Sequence, residues 1–374
     1  MMITSMVDLA IDLTALKHNY RQLRRLCGPG VKFMGVVKAD AYGHGLLPVA
    51  RALAAEGADC LGVGSLEEGL SLRQAGLNLP VLLLLGILPE EAAPAVGTGL
   101  EVALFRLDVA RALAAAALAQ GKKAGVHLKV DTGMGRLGLL PGEVLPFLEE
   151  LRAYPQLEVL GLISHLAVAD QEDKSYTFRQ LEQFTGILQA ARDRGWELPL
   201  SHIANSAALW ELQEAHFALV RPGIMLYGSP PAAGRQVPVA LQPVMSLTGK
   251  VLQAKRLPPG ASISYGRTFT TEDWCDLAVL PVGYANGYSR LLSNRGEVLI
   301  RGRRAPIRGR VCMNLTMVEV THLEGIKAGE PVVLLGQMGE DRLTGDDLAG
   351  WAQTISYEIY LALGNANPRR YIGA

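Results

Sequence analysis

Metal-site spacing, disulfide pairing and surplus charge are all missing from this sequence. Only 4 cysteines occur in 374 residues, Cys27, Cys60, Cys275 and Cys312, far apart and with no CxxC pair. The 7 histidines form no grouping of metal-site spacing either, so no metal is expected and the thiols are expected to be free. Lys plus Arg and Asp plus Glu balance at 36 each, so no charge excess favours nucleic acid or an anionic membrane, and the expected ligand is small. The longest apolar run, 81–88, is interrupted by Gly86 and is far too short to span a bilayer. Residues 1–20 lack the basic start, unbroken apolar stretch and small-residue cleavage site of a secretory leader, so a cytoplasmic location is expected.

What is present describes a globular chain, 49% hydrophobic and 19% charged, and too long for one typical core. Leu16, Tyr20, Leu23 and Cys27 recur at helical spacing before Gly28, which predicts a first helix ending there. Strand-like runs follow at 31–37, 60–64, 81–85, 101–105, 126–130, 159–163, 202–204 and 217–220. Between them, 47–56, 67–75, 108–120, 143–152 and 176–194 carry apolar residues at helical periods. Eight strands alternating with helices predict an α/β unit, a (β/α)8 TIM-type barrel over 1–235; a doubly wound open sheet explains the alternation nearly as well, and the count favours the barrel. Pro230, Pro231, Ala232, Ala233 and Gly234 then break the rhythm as a linker does. Short strands between Gly and Pro turns follow, at 244–257, 276–282, 298–301, 307–312 and 331–335, so 236–374 reads as a mostly β C-terminal domain.

In such a barrel, chemistry gathers where the strands end. Lys38 ends the apolar run GVVK; alone, such a lysine more often marks a strand end and reaches back to water. The following ADAYGHG places Tyr42 and two glycines in a tight loop suited to lie against a flat ring or a phosphate. The last two barrel loops, a common phosphate site of this fold, read HIANSAA and RPGIMLYG. Asn205 and Ser206 precede a helical run, and Gly223 lets the chain approach an anion with its own N–H and that of Ile224. Singly, these are an N-cap and a turn glycine; at the last two loops together they read as a cradle. Arg221 ends the eighth strand beside it, Arg136 follows the fifth, Lys129 ends that strand, and His165 ends the sixth. Alone, Arg221 reads as a surface ion-pair partner and His165 as a satisfied strand-end histidine.

The motif VVKADAYGHG closely resembles the cofactor-lysine motif of alanine racemases, in which this lysine holds pyridoxal 5'-phosphate (PLP) covalently. The resemblance extends over essentially the whole chain, and it implies a PLP-dependent isomerase interconverting L-alanine and D-alanine by two bases, supplying D-alanine for cell-wall peptidoglycan. It further implies a homodimer with shared sites. In that family the arginine at Arg221 faces the pyridine nitrogen and keeps it unprotonated, where many PLP enzymes use a carboxylate; the ring is then a weaker electron sink, which suits racemisation. Lys38 serves one substrate face, and SYGRTF supplies Tyr265 from the C-terminal domain for the other. Because a free phenol has a pKa of about 10, Tyr265 needs cationic or hydrogen-bonding neighbours, for which Arg136 and His165 are the candidates.

The resemblance also makes Arg136 a carboxylate-orienting residue, and GRVCMN places the substrate-binding backbone N–H at Met313. Tyr284 and Tyr357 crowd the site, Tyr357 touching phosphate with Tyr42, Ser206, Gly223 and Ile224, and a small pocket favours alanine over serine only moderately. Lys129 corresponds to a lysine that several members carboxylate. Two places depart from the family pattern: Asn314 stands where Asp is usual, and Ala366, Asn367, Pro368 and Arg369 replace an Arg-Val-Pro-Arg run. A broader small amino-acid (serine) racemase, a PLP-dependent decarboxylase of related fold and a non-catalytic PLP carrier are the other readings. Arg221 speaks against the decarboxylase, and the second domain with its tyrosine speaks against the carrier.

Overall fold

A computed structural model describes residues 6–232, 234–235 and 237–373; residues 1–5, Ala233 of the expected linker, and Gln236 and Ala374 at the ends of the expected C-terminal domain lie outside it. The chain begins with β1 (Val7–Asp12), then enters a barrel whose strands are β2 (Lys32–Val36), β3 (Cys60–Val63), β4 (Val81–Leu83), β5 (Glu101–Leu104), β6 (Ala124–Lys129), β7 (Leu157–Ile163) and β8 (Leu219–Val220). All seven pair in parallel in the order β7-β6-β5-β4-β3-β2-β8. Their runs of Val, Leu and Ile are apolar without alternation because helices cover one face and the barrel interior the other.

The expected strand at 202–204 survives as a single bridge between Ile163 and His202, yet it closes the barrel. Leu200 N donates to Leu160 O at 2.9 Å and His202 N to Leu162 O at 2.8 Å, while on the far side Arg221 N donates to Ala204 O at 3.0 Å. Gly161 permits this approach, since a Cβ there would lie 2.5 Å from the Leu200 carbonyl carbon. The result is a TIM-type barrel with its eighth position filled by an irregular segment. The first helix, Leu13–Arg24, is capped by the Asp12 carboxylate, which accepts from Thr14 N at 2.8 Å, and it ends before the expected Gly28.

The second unit is mostly β, as expected, with differences in detail. One sheet runs Arg303–Pro306, Glu297–Ile300, Pro331–Met338, β9 (Met245–Lys250), β1, Arg369–Ile372. Thus β1, from the start of the chain, lies with the second unit, filling the gap between β9 and the last strand; the expected division at 235/236 does not anticipate this exchange. The expected strand 244–257 is two strands in two sheets, because Val251 N donates to Glu330 O and Leu252 N to Val279 O and the chain changes partners there. Gln253–Leu257 joins Cys275–Leu280 and Thr316–Glu319 instead. Of the expected strand 307–312 only Ile307 bridges, to Val318, and Gly309 turns the chain away at φ 75°. Two helices, Gly345–Ala352 and Ser356–Ala366, complete the unit, the second resting on the loop after Lys38.

Asn19 stitches the first helix to the segment leaving the barrel. Fully buried, it donates to Leu226 O at 3.0 Å and Gln242 O at 2.7 Å and accepts from Gln242 N at 2.7 Å. Asn19→Ala leaves those backbone groups without their partner, and a loss of about 2–3 kcal/mol is expected in urea unfolding; an unchanged midpoint would refute this role.

Candidate active site

A cavity of about 300 Å³ opens among the C-terminal ends of the barrel strands. Five basic side chains line it: Lys38, Lys129, Arg136, His165 and Arg221. Tyr42, Ser206, Gly223, Ile224 and Tyr357 line it as well, so ten residues singled out in the sequence converge.

Arg221 is 5% exposed, and its partners are all neutral acceptors. It donates through Nη1 to His202 Nδ1 at 2.7 Å and through Nη2 to Ser164 O at 2.7 Å, Ile203 O at 3.2 Å and His165 Nδ1 at 3.5 Å. Because a guanidinium only donates, His202 must accept on Nδ1 and carry its proton on Nε2. That nitrogen donates to His127 Nδ1 at 3.1 Å, and His127 Nε2 donates in turn to Glu101 Oε2 at 3.1 Å. The tautomers of two buried imidazoles are thereby fixed by a cation at one end and a carboxylate at the other. Burial, with Arg136 adding, pushes Arg221 down to about 9. His202 is held well below the usual imidazole range by burial and then by Arg221.

The other bases feel the same field. Lys129 lies well below an ordinary lysine through burial, then Arg221 and Arg136, with Asp131 opposing. His165 is pushed down by burial and the same cations. Lys38 is lowered by burial first and Arg136 next, against the pull of Glu68. Each is biased toward a neutral, lone-pair-bearing nitrogen. Arg136 comes from a loop built on one carboxylate: Asp131 accepts from Gly133 N at 2.9 Å, Gly135 N at 3.1 Å and Arg136 N at 2.9 Å.

The segment after Lys38 is a left-handed turn of non-glycine residues, with φ of 53° at Ala39, 53° at Asp40, 55° at Ala41 and 55° at Tyr42. Each such residue costs on the order of 1 kcal/mol or more, so the surroundings must hold the turn. It delivers Tyr42 over Gly223, where a Cβ would lie 2.5 Å from the phenol oxygen, so only glycine fits beneath it. Ser206 Oγ accepts from Gly223 N at 2.9 Å, and Asn205 caps the following helix by accepting from Ala208 N at 3.1 Å. The Tyr42 and Tyr357 rings stand 5.7 Å apart, and burial pushes the Tyr357 phenol up to about 12, so both phenols stay protonated donors. A cluster of cations with hydroxyls, phenols and a glycine beside it suits a phosphorylated ligand. A lysine amine biased to neutrality suits an aldehyde. Together they fit PLP.

Three expected residues lie elsewhere. Tyr265 is 71% exposed, Met313 56% and Tyr284 44%, and none lines the Lys38 cavity of its own chain. Tyr265 sits in the hairpin between Ser262–Ile263 and Phe269–Thr270. Asn314 is exposed beside Met313. Conversely, Glu68, Glu101, His127, Asp170 and His202 were not singled out. Asp170 lines the cavity from a loop without a local signature, and the two histidines sit inside apolar barrel segments. No cluster of His, Cys, Asp and Glu able to hold a metal occurs among the described residues, and none of their helices is long and apolar enough to cross a membrane. All four cysteines are free.

A family model described as alanine racemase, N-terminal domain, matches residues 11–231, and one described as alanine racemase, C-terminal domain, matches residues 244–371. The alanine racemase of Syntrophobacter fumaroxidans is 47% identical over 354 residues, covering 95% of this chain and 94% of the relative. That of Geobacter sulfurreducens is 45% identical over 366 residues, 97% of this chain and 96% of the relative. Among solved structures, the alanine racemase of Streptomyces coelicolor A3(2) superposes with a TM-score of 0.93 at 36% identity, covering 98% of each chain. An alanine racemase from Bartonella henselae with covalently bound pyridoxal phosphate gives 0.89 at 30% identity, over 99% of this chain and 100% of that one.

Burial makes stability acid-sensitive. His44, lowered to about 3 chiefly by burial, and His165 and His202, lowered with it, are neutral when folded and free to take protons when unfolded. Their folded pKa values lie below the unfolded one of about 6.5, so the unfolded state binds more protons as pH falls. The contribution of these three histidines is expected to be level above about 6.5 and to fall from there toward about 3, by up to about 1.4 kcal/mol per pH unit for each histidine. Urea titrations at stepped pH read this directly; equal stability at pH 7 and pH 5 would contradict it.

Proposed function

The chain belongs to the alanine racemase family, and from that premise we propose that it is a PLP-dependent isomerase interconverting L-alanine and D-alanine. The observation that carries this reading is the meeting of Lys38 with an unpaired, buried Arg221 in one cation-lined cavity. PLP, when bound, supplies an electron sink for the bond to the substrate α-hydrogen. Lys38 would hold it covalently, Tyr42, Ser206, Gly223, Ile224 and Tyr357 would receive its phosphate, and Arg221 would face its ring nitrogen. A guanidinium there would donate without surrendering a proton, so electron withdrawal through the ring would stay modest and return of the α-proton to carbon would be favoured over side reactions.

Racemisation needs a proton carrier on each face of the α-carbon. Lys38 serves one face. Tyr265 serves the other, and because it lies outside the Lys38 cavity of its own chain, it is supplied by a second copy in a homodimer with two shared sites. Arg136 orients the substrate carboxylate with the Met313 backbone N–H of that second copy. Arg136 and His165 line the cavity that Tyr265 of the second copy would enter, one as a cation and the other as a hydrogen-bonding imidazole. Tyr284 and Tyr357 narrow the space over the substrate, which favours alanine and admits serine less well. The chain reads as a barrel unit over 1–235 and a β-rich unit over 236–374, with β1 exchanged into the second. A cytoplasmic location and supply of D-alanine for peptidoglycan fit this assignment. A decarboxylase would call for an acid opposite the ring nitrogen, where this reading puts Arg221.

Burial, Arg221 and Arg136 push the Lys129 amine toward its neutral form, which suits addition of CO2, with the amine proton released to solvent, to give a carbamate anion beside those arginines. Carbon-13 NMR of protein in labelled bicarbonate is expected to report that carbamate, and its absence, together with an unmodified Lys129 in crystals, would count against it. The decisive assay follows optical rotation of each alanine enantiomer with PLP. Lys38→Ala is expected to abolish both the borohydride-trappable cofactor and turnover. Tyr265→Ala is expected to keep the trapped cofactor and to lose at least about 100-fold in racemisation, as removal of a general acid–base does. Full activity in either variant would defeat its assigned role.

A further inference from the structure

The left-handed turn after Lys38 is held from both units. Glu68 clips its front edge, accepting from Asp40 N at 2.9 Å and from Gly64 N at 2.7 Å. Asp40 clips its back edge, its Oδ1 accepting from Leu46 N at 2.6 Å while its carbonyl accepts from Gly45 N at 2.8 Å. The other carboxylate oxygen is taken by Arg369 of the last strand, Nη2 to Oδ2 at 2.6 Å, and that arginine side chain is only 18% exposed. Helix Ser356–Ala366 presses on the same loop, leaving no room for a Cβ at Gly43 beneath the Tyr360 carbonyl or at Gly364 beside Gly43. Arg369 is therefore, among the described residues, the one ionic tie between the second unit and the turn that begins at the cofactor lysine.

We propose that Arg369 is a positioning residue for Lys38: through Asp40 it holds the strained turn 39–42, and so fixes where the Lys38 amine meets its carbonyl partner. The inference rests on the assignment of Lys38 as the PLP-bearing lysine. The chain of cause is short. Asp40 is the second residue of the turn and carries a bond to each flank, so its carboxylate sets the turn's tilt. Releasing Oδ2 lets four disfavoured residues relax toward right-handed conformations, and the lysine that starts the turn moves with them. A reacting group displaced by a fraction of an ångström loses rate steeply.

The test uses the PLP-loaded protein and reads the rate at which hydroxylamine strips the covalently held cofactor, followed by its absorbance. Arg369→Gln, close in length and uncharged, is expected to speed stripping by about tenfold. Arg369→Lys restores a cation within reach of Asp40 and is expected to stay within about threefold of the parent. Asp40→Asn keeps a residue tolerant of left-handed backbone and an acceptor for Leu46 N; alone it is expected to speed stripping, and in that background Arg369→Gln is expected to add less than about twofold. Melting temperatures are taken alongside. A lower melting temperature in Arg369→Gln with stripping at the parental rate would make the arginine a mere structural pin and overturn the proposal, as would a full Arg369→Gln effect persisting beside Asn at 40. If Arg369→Gln does not fold, an unchanged rate in Asp40→Asn overturns it equally. A parent protein with no borohydride-trappable cofactor on Lys38 would defeat the assignment of that lysine, and this inference with it; a parent that traps cofactor while the variants strip normally defeats this inference alone.

Discussion

A guanidinium buried with only neutral acceptors around it organises the centre of this protein. Arg221 satisfies its donors on two imidazoles and two carbonyls and takes part in no ion pair among the described residues. Burying an uncompensated cation is costly, and the cost appears as the depressed basicity of Arg221 itself, of Lys129 and of Lys38. The energy spent on assembling these cations is recoverable by any ligand that brings negative charge. A phosphate and a carboxylate do so at once. The hydrogen-bonded line from Arg221 through His202 and His127 to Glu101 gives the arginine one orientation, because each imidazole has a single proton and its direction is dictated by the donor before it.

The second unit belongs to this arrangement structurally, and not as an appendage. Helix Ser356–Ala366 and the strand Arg369–Ile372 close over the loop that starts at Lys38, and β1 ties the chain's beginning into the same sheet. The approach is so close that Gly43 and Gly364 meet backbone to backbone. Because a left-handed run at Ala39, Asp40, Ala41 and Tyr42 is unfavourable in isolation, local sequence cannot maintain it; the second unit and Glu68 do. Folding of the two units and formation of the lysine turn are therefore linked.

Much of this was legible before any coordinates. Seven barrel strands announce themselves as short apolar runs, since a parallel strand buried on both faces has nothing else to be. Seven basic, hydroxyl and phenolic residues, Lys38, Tyr42, Lys129, Arg136, His165, Ser206 and Arg221, were legible for a topological reason: the barrel sends every βα loop to one face, which Tyr357 joins from a helix of the second unit. What escaped was set by partners distant in sequence. The 202–204 strand is irregular because Gly161 lets it lie unusually near its neighbour, and the break at Val251 and Leu252 arises from two competing sheets. Helix Gly345–Ala352 did leave a local trace, a Thr344 and Asp347 capping box, which the surrounding strand-like rhythm obscured. His127 and His202 left none, for a polar residue inside an apolar strand is explained only by the residue across the barrel.

The exposure of Tyr265, Met313 and Tyr284 follows the same logic at the next level of assembly. Inside one chain the Lys38 cavity offers amines, imidazole and guanidinium, while the phenols that line it, buried Tyr42 and partly buried Tyr357, are raised in pKa and sit with the anion-binding groups. Neither is suited to give and take a proton near neutrality. The role proposed for Tyr265 meets that need from outside, since a tyrosine left 71% exposed on a hairpin is free to be brought beside Arg136 and His165 by a second chain. A large aromatic, a methionine and a second tyrosine left in water by one chain form a surface that a second copy would cover. The proposed dimer thus answers two separate problems with one contact: it removes apolar surface from water, and it completes a site whose cations have no basic phenol of their own.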